Sequence, residues 1–465
     1  MRIVTETEMA ARLALDNPWW SGGPPEAELA ALPRRAFLDA FLRRIGRPGP
    51  AAPLVLAGPR RVGKTVLVRQ AIQRLLETGT PAQNLAYAAL DAPAVQGVPL
   101  DRLVAALAAR AEGPAMIVLD SIQQARGWEE RLAAVAAAHP EARIVAVTAG
   151  GARPGPPPGC AAFVLPPLTF AEHLRLTGAE RELIEPLALG KGPPMYLARD
   201  VAALNARFLH YINGGGFPEA LLLRPPHGDA ARRLRGEVLG ALLHQDLPGL
   251  AGIGGTAELN ALFLLLARNT GRELSIEAVA ERAGIAKNTV RRYLDYLEAS
   301  FLIVRMARVH PEGGRFRRMR TFKVHLAAPC LYAALFGPVT ADDPAFPALA
   351  ESAVVGQWLA SPERSRLHFA RLPEGPVDLV SLAADGGRPS WACALAAAGD
   401  GAAAGEASIN GLIQFAKRNA PLRWVGATTR TLAALRSHDG IEVWHRPASQ
   451  YCYEVGRRVA EDAAS

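Results

Sequence analysis

Eight consecutive residues, Gly58-Pro59-Arg60-Arg61-Val62-Gly63-Lys64-Thr65, carry the clearest chemistry in this sequence. They fit the pattern G-x-x-x-x-G-K-[ST], in which glycines let the backbone curl so that successive N–H groups face phosphate oxygens. The lysine of the pattern, Lys64, reaches the β- and γ-phosphates, and the hydroxyl of Thr65 ligates Mg2+. ATP and Mg2+ are the cofactors expected, with all eight residues lining the phosphates. An apolar run ending in a carboxylate, Met116-Ile117-Val118-Leu119-Asp120, supplies a second part. Asp120 at a strand end would hold Mg2+ opposite Thr65. The residue that follows is Ser121, and a hydroxyl is a poor base beside a metal. Hydrolysis is therefore expected to be slow or lost while binding is spared. Glu129 and Glu130 are substitutes only if the helix that carries them is displaced toward the nucleotide. Thr148, ending the run Arg143 to Thr148, could sense the γ-phosphate. The nearest arginine, Arg153, lies in a Pro-rich loop and reads as a solvated charge, so no arginine finger is identified.

These groups need a sheet to hold them. Leu54-Val55-Leu56-Ala57 reads as a buried strand, and Val66 to Leu76 has helical spacing, which puts a helix N-terminus under the phosphates. Strands are expected at 53–57, 84–90, 115–120, 143–148 and 162–165, alternating with helices. That alternation predicts an α/β fold with a parallel sheet. Pro154-Gly155-Pro156-Pro157-Pro158-Gly159 must be an exposed loop. Ahead of the sheet, Asn17-Pro18-Trp19-Trp20 forms a bulky apolar plug that reads as a docking segment, and a helix is expected from Arg34 to Arg44. After the sheet the pattern is mostly helical from Leu168 to about Leu266, broken at Asn213-Gly214-Gly215-Gly216-Phe217-Pro218. The last 140 or so residues return to mixed strand and helix, with the Ala-rich stretch 395–407 expected to be a loose loop.

With 465 residues, half of them hydrophobic, the chain is long enough for two to four domains. Those expected are a docking segment at 1–45, a P-loop domain with a small lid at 46–205, a helical domain at 206–305 and a mixed α/β domain at 306–465. No apolar run approaches the ~18 residues of a membrane span. The start Met1-Arg2-Ile3-Val4 lacks a signal core, and Cys160, Cys330, Cys393 and Cys452 fit neither a zinc pattern nor a disulfide framework. The chain reads as cytoplasmic. A net charge of +8 permits nucleic-acid contact without arguing strongly for it.

Residues 275–300 read as a helix-turn-helix: a short helix through Val279-Ala280-Glu281-Arg282, a turn at Gly284, then a helix from Asn288 to Ala299. Lys287, Asn288, Arg291 and Arg292 would face DNA, with Tyr293 and Leu294 turned inward. A basic stretch from Arg305 to Lys323, including Arg315, Phe316, Arg317 and Arg318, follows. The bland alternative is a rigid spacer or protein-docking module with solvated arginines.

The P-loop, the string 117–132, the string 165–174 and Gly215-Gly216-Phe217-Pro218-Glu219-Ala220 together resemble the prokaryotic AAA+ ATPases that carry a C-terminal domain of unknown function. The Asn-Pro-Trp-Trp start resembles one long-chain subgroup. The resemblance runs over nearly the whole chain. It implies an AAA+ domain, a helical and winged-helix middle and a C-terminal fold similar to PD-(D/E)XK nucleases. The departures fall on the hydrolytic parts: Ser121 where the family has Glu, and Thr148-Ala149-Gly150 where it has Thr-Gly-Ser. Such a nuclease needs a Glu on a helix, an Asp at a strand end and a Glu-x-Lys on the next strand. Glu351 and Asp378 match the first two, but Ala394 and Ala396 stand for the third, and Ala328 stands where the family has Asp, so nuclease activity is not expected.

The leading expectation is an ATP-binding AAA+-type protein with weak or lost hydrolysis, whose nucleotide occupancy sets the angle between ATPase domain and winged helix. Two others stand beside it: a nucleotide-gated DNA-binding protein of defence or mobile-element type with an inactive nuclease-like domain, and a scaffold in which the P-loop is a relic. The partners expected are nucleotide, with DNA, a protein partner or self-association open, and no membrane.

Overall fold

The computed structural model describes residues 5–46, 52–150, 154–187, 195–222, 256–316, 321–395 and 402–463. The chain divides into two compact units, Met1–Leu165 with Ala460–Ser465, and Pro166–Val459.

The first unit opens with α1 (Glu6–Asp16). Thr5 and Glu8 cap it reciprocally, satisfying two orphan N–H groups of the first turn. Helix α2 (Leu38–Ile45) starts later than the expected Arg34, because Arg35 is buried and donates Nη1–H to the Val62 carbonyl at 2.6 Å. Then come β1 (Leu54–Ala57), α3 (Lys64–Glu77), β2 (Leu85–Ala89), α4 (Leu100–Ala108), β3 (Ala115–Asp120), α5 (Trp128–Ala138), β4 (Ala142–Thr148) and β5 (Ala161–Val164). The strands form an all-parallel sheet in the order β2-β3-β4-β1-β5. Continuous apolar runs, not alternating ones, build it because both faces are covered. Leu54, Val55, Leu56, Ile117, Val118 and Leu119 are all buried. Each fully buried Leu, Ile or Val contributes about 1.5–3 kcal/mol.

The Asn-Pro-Trp-Trp segment closes the exposed edge of this sheet. Asn17 donates Nδ2–H to the Tyr87 carbonyl and accepts from the Tyr87 N–H, both at 2.7 Å. Trp19 and Trp20 each donate an indole N–H to the Leu85 carbonyl at 2.9 Å. Side chains thus take the place of a further strand on β2, where unpaired backbone would invite pairing with another chain.

The second unit begins with α6 (Phe170–Leu176), again with a reciprocal cap between Thr169 and Glu172. A hairpin of β6 (Ile184–Leu187) and β7 (Met195–Ala198) follows. It interrupts the expected helical stretch, since Pro186 has no N–H to give a helix. Helix α7 (Val201–Gly214) comes next, and the helical reading of 223–255 lies outside the described residues. Beyond it come α8 (Thr256–Arg268), β8 (Glu273–Ser275), α9 (Ile276–Ala283), α10 (Lys287–Ala299), β9 (Ile303–Val309) and β10 (Thr321–Leu326). Gly284 takes the left-handed turn between α9 and α10 at φ +66°.

Strand β9 crosses position 305, where the sequence suggests a boundary, and strands β8 to β10 belong to a larger sheet. They continue into β11 (Leu367–Leu372), β12 (Gly375–Leu382), β13 (Pro389–Ala394), β14 (Trp424–Thr429), β15 (Ala434–His438) and β16 (Ile441–Pro447) as one nine-stranded mixed sheet, with β9 beside β11 in parallel. Helices α11 (Cys330–Phe336), α12 (Phe346–Gln357) and α13 (Ala402–Arg418) belong to the same unit. Residues 402–407, expected to be loop, are the start of α13, as suits alanine, the best helix former. Residues 396–401 lie outside the described residues.

Candidate functional site

Three parts of the first unit converge at the carboxyl ends of its strands. The loop 58–63 leaves β1 and enters α3 at Lys64. A Cβ on Gly58 would sit 2.1 Å from the Leu165 carbonyl oxygen, so only glycine lets the loop pass β5 this closely. Gly63, at φ +90°, turns the chain into the helix. The first turn of α3 therefore presents its backbone N–H groups toward the loop, an arrangement that favours phosphate. Lys64 Nζ donates to the carbonyls of Gly58 and Pro59 at 2.8 and 2.7 Å. Pro59 and Val62 are buried under the loop, Arg60 is half-buried, and Arg61 is exposed at φ +64°.

Asp120 ends β3 and is buried. Its Oδ2 accepts from Thr65 Oγ1 and from Tyr87 Oη, each at 2.7 Å, and its Oδ1 accepts from the Ser121 N–H at 2.8 Å. A hydroxyl and a carboxylate oxygen at this spacing are the hard oxygen donors that Mg2+ takes, so the residues present fit the ion and a nucleotide triphosphate. Burial, with Asp120 adding to it, pushes the Tyr87 hydroxyl well above its ordinary value, which keeps it a donor.

Ser121 is held in the left-handed region at φ +58°, uncommon for a residue with a side chain. Its Oγ donates to Asp91 Oδ2 at 3.4 Å. The sequence reading proposed Glu129 or Glu130 as the replacement carboxylate. Both lie on the first turn of α5, and the Oε2 of Glu130 is turned toward Gly127. The carboxylate bonded to Ser121 is instead that of Asp91, which sequence spacing did not single out. The signal was faint: Asp91 lies one residue beyond Leu90, whose N–H bonds to the Asp120 carbonyl at 2.9 Å and so extends the β2–β3 pairing. Thr148 ends β4 beside β1 and is buried. Its hydroxyl donates to the Gly150 carbonyl and accepts the Gly150 N–H, so it closes its own turn. Arg153 lies outside the described residues.

Residues 51–152 match the family profile described as "AAA domain", and residues 205–342 match a "Domain of unknown function (DUF8612)". The P-loop and parallel sheet of residues 51–152 are thus similar to an AAA-type P-loop domain. An uncharacterised protein of Haemophilus influenzae is 22% identical over 268 residues, covering 53% of this chain. The match spans 60% of that relative's length. Similar solved structures include a Thermotoga maritima RuvB variant, 16% identical over 61% of this chain and 88% of that one, at a TM-score of 0.26. Caenorhabditis elegans PCH-2 is 14% identical, covers 47% and 64%, and has the same TM-score of 0.26. AMPPCP-bound DnaA from Aquifex aeolicus is 13% identical over 56% and 85%, at 0.24.

In the second unit, Lys287, Asn288, Arg291 and Arg292 are exposed on the first two turns of α10, while Tyr293 and Leu294 are buried. Lys287 lies 3.6 Å from Glu277, and Arg291 donates to Asn288 at 2.8 Å. The expected basic stretch is corrected at both ends. Arg305 is bridged to Asp295 and Glu298 at 2.7 Å each, and Lys323 is interior. Arg317 and Arg318 lie outside the described residues.

Glu351 and Asp378, the two matched acids, are joined by Lys323. From β10 its Nζ donates to Glu351 Oε1 on α12 at 2.7 Å and to Asp378 Oδ1 on β12 at 2.9 Å. Asp378 Oδ2 accepts from the Leu395 N–H at 2.8 Å. Burial pulls the ammonium down, but Asp378 and Glu351 hold it above the usual lysine range. Burial pushes Glu351 up to about 7 even against the pull of Lys323. Asp378 is buried too, yet Lys323 and the Leu395 N–H hold it below the usual carboxylate range. Ala394 ends β13 and contributes no side-chain ligand, and Ala396 lies outside the described residues. Ala328 is buried against Gly216. Among the described residues no cluster of three His, Cys, Asp or Glu could hold a metal, and no helix is long and apolar enough to cross a membrane.

Proposed function

We propose that this chain is a cytoplasmic ATP-binding switch of AAA+ type whose hydrolysis is slow. The observation that carries the reading is the contrast inside one site. The phosphate loop, Lys64, Thr65 and Asp120 are in place, while the residue after Asp120 is Ser121, bonded to Asp91 at 3.4 Å. Gly58 to Thr65 would hold the phosphates. Mg2+ between Thr65 and Asp120 would screen their charge. The expected division at 46–205, 206–305 and 306–465 remains part of the reading, with the strand β9 crossing position 305. Incubation with labelled ATP and Mg2+, followed by filter retention, tests it. Retention mainly as ATP after long incubation supports a slow switch. Rapid conversion to ADP contradicts the slowness, and failure to retain either nucleotide contradicts the binding and favours a relic scaffold.

A second reading, nucleotide-gated DNA binding through a winged helix with an inactive nuclease-like domain, is supported by the exposure of Lys287, Asn288, Arg291 and Arg292 on one helix. It requires salt-dependent duplex binding that weakens, with a shallower salt slope, in the double variant Arg291→Ala, Arg292→Ala. Equal binding by that variant would remove this reading.

A further inference from the structure

The site contains a carboxylate that can receive the proton of the attacking water. Asp120 is the poorer candidate, because Oδ2 accepts from both Thr65 and Tyr87, Oδ1 accepts from the Ser121 N–H, and this carboxylate is the one that would meet Mg2+. The next carboxylate along the sheet end is Asp91. Ala89 pairs with Asp120 in register, and Leu90 N–H bonds to the Asp120 carbonyl, so the backbone sets Asp91 beside Ser121. Ser121 is held at positive φ, a conformation that costs about 1–3 kcal/mol and recurs at functional sites. Its hydroxyl donates to Asp91 Oδ2 at 3.4 Å, a length that ordinarily tightens when substrate is bound.

We propose that Ser121 and Asp91 form a two-residue relay that supplies the residual ATP hydrolysis. This rests on the nucleotide reading above. In the step, the water oxygen bonds to the γ-phosphorus. The bond from that phosphorus to the β–γ bridging oxygen breaks, and its electron pair leaves with ADP. The water proton passes to Ser121 Oγ as the serine proton passes to Asp91 Oδ2, and Asp91, which is exposed, returns the proton to solvent. Ser121 touches the water; Asp91 acts through it as a positioning residue and final acceptor. Two transfers in place of one accord with the slow turnover proposed above.

The test uses the full chain and its variants Asp91→Asn, Asp91→Glu, Ser121→Ala and the double variant Asp91→Asn, Ser121→Ala. Turnover of Mg-ATP and the affinity for Mg-AMPPCP are measured together. Asp91→Asn is expected to lose at least about tenfold in kcat and to keep AMPPCP affinity within twofold. Asp91→Glu should regain part of kcat. Ser121→Ala should lose as much as Asp91→Asn, and the double variant no more than either. Wild-type kcat in Asp91→Asn, or a loss of kcat that tracks loss of AMPPCP binding, overturns the relay. So does a wild-type chain that binds AMPPCP but leaves ATP intact. A wild-type chain that does not bind Mg-AMPPCP overturns the nucleotide reading itself.

Discussion

Tyr87 and Asp120 are bonded side chain to side chain, the phenol donating to Asp120 Oδ2 at 2.7 Å. The same oxygen accepts from Thr65, so both of its lone pairs are filled. The main chain of Tyr87 is held in turn by Asn17. Arg69 lies over the Tyr87 ring, its Cζ 3.7 Å from the centroid, and donates to the Asp16 carbonyl at 2.8 Å. The N-terminal segment is thus two residues away from the carboxylate that would meet Mg2+.

Tyr87→Phe should therefore tighten Mg2+ in the nucleotide complex. Removing the phenol frees one lone pair on Asp120 Oδ2, and a net hydrogen bond of this kind is worth about 0.5–1.5 kcal/mol. The expected gain is roughly twofold to tenfold in Mg2+ affinity, read by titrating Mg2+ into protein with excess ADP. A weaker or unchanged affinity would show that the phenol does not compete for the ion.

Asn17→Ala should destabilise the first unit. Asn17 is fully buried and makes three bonds, to the Leu13 carbonyl and to both backbone groups of Tyr87. Alanine strands those groups at the sheet edge, at roughly 1–3 kcal/mol for each one left unsatisfied. A loss of about 3 kcal/mol or more in chemical denaturation is expected, and Asn17→Asp, which keeps only the acceptor, should fall between. A loss below about 1 kcal/mol would mean water replaces the side chain without cost.

Much of the first unit was legible because its chemistry is local. The P-loop, β1 and the strand ending in Asp120 are contiguous segments, and each predicted strand was found within a residue or two of its place. What escaped was set by pairing across the sheet. Asp91 reaches Ser121 only because β2 and β3 run side by side in one register. Lys323 looked like a surface charge because its neighbours in sequence are basic. Its fate was decided by Glu351 and Asp378, 28 and 55 residues further along the chain. Hydrophobic period could not foresee a salt bridge inside the core.

Lys323→Met should be strongly destabilising at neutral and higher pH. It leaves Glu351 and Asp378 buried with no cation between them, and breaking such a pair costs about 3–5 kcal/mol. The penalty should shrink as pH falls from the alkaline side toward 7, because Glu351, held at about 7 with Lys323 present, is raised further without it and takes a proton, which ends the like-charge repulsion. Denaturation of wild type and variant at pH 8 and pH 5.5 checks it. A difference that does not change with pH would mean that the triad contributes through packing alone.

The second unit should lose stability as pH falls from about 6.5 toward 4.5. His325 and His173 are both fully buried. Burial, with Lys323 beside one and His210 and Arg207 near the other, pulls each down to about 3 from 6.5. In this window the unfolded chain binds a proton on each imidazole and the folded chain on neither. Glu351 runs the other way, since the folded state holds its proton up to about 7 and the unfolded state only to 4.5. These three groups put two protons on the unfolded state against one on the folded state; His368 and His445, also lowered by burial, add to the unfolded side and the raised Glu454 to the folded side, so stability falls with falling pH. His325→Asn removes one of these imidazoles and should make the slope shallower, by about 1.4 kcal/mol per pH unit. The buried His325 Nε2 has no hydrogen-bond partner and lies 3.8 Å from Glu351 Oε1, while Nδ1 lies 3.3 Å from Ser352 Oγ, a contact that the asparagine amide can take over. Urea denaturation across pH 4.5–6.5, followed for both proteins, decides the matter. A slope in the variant equal to that of wild type would place the acid sensitivity elsewhere than in this interior cluster.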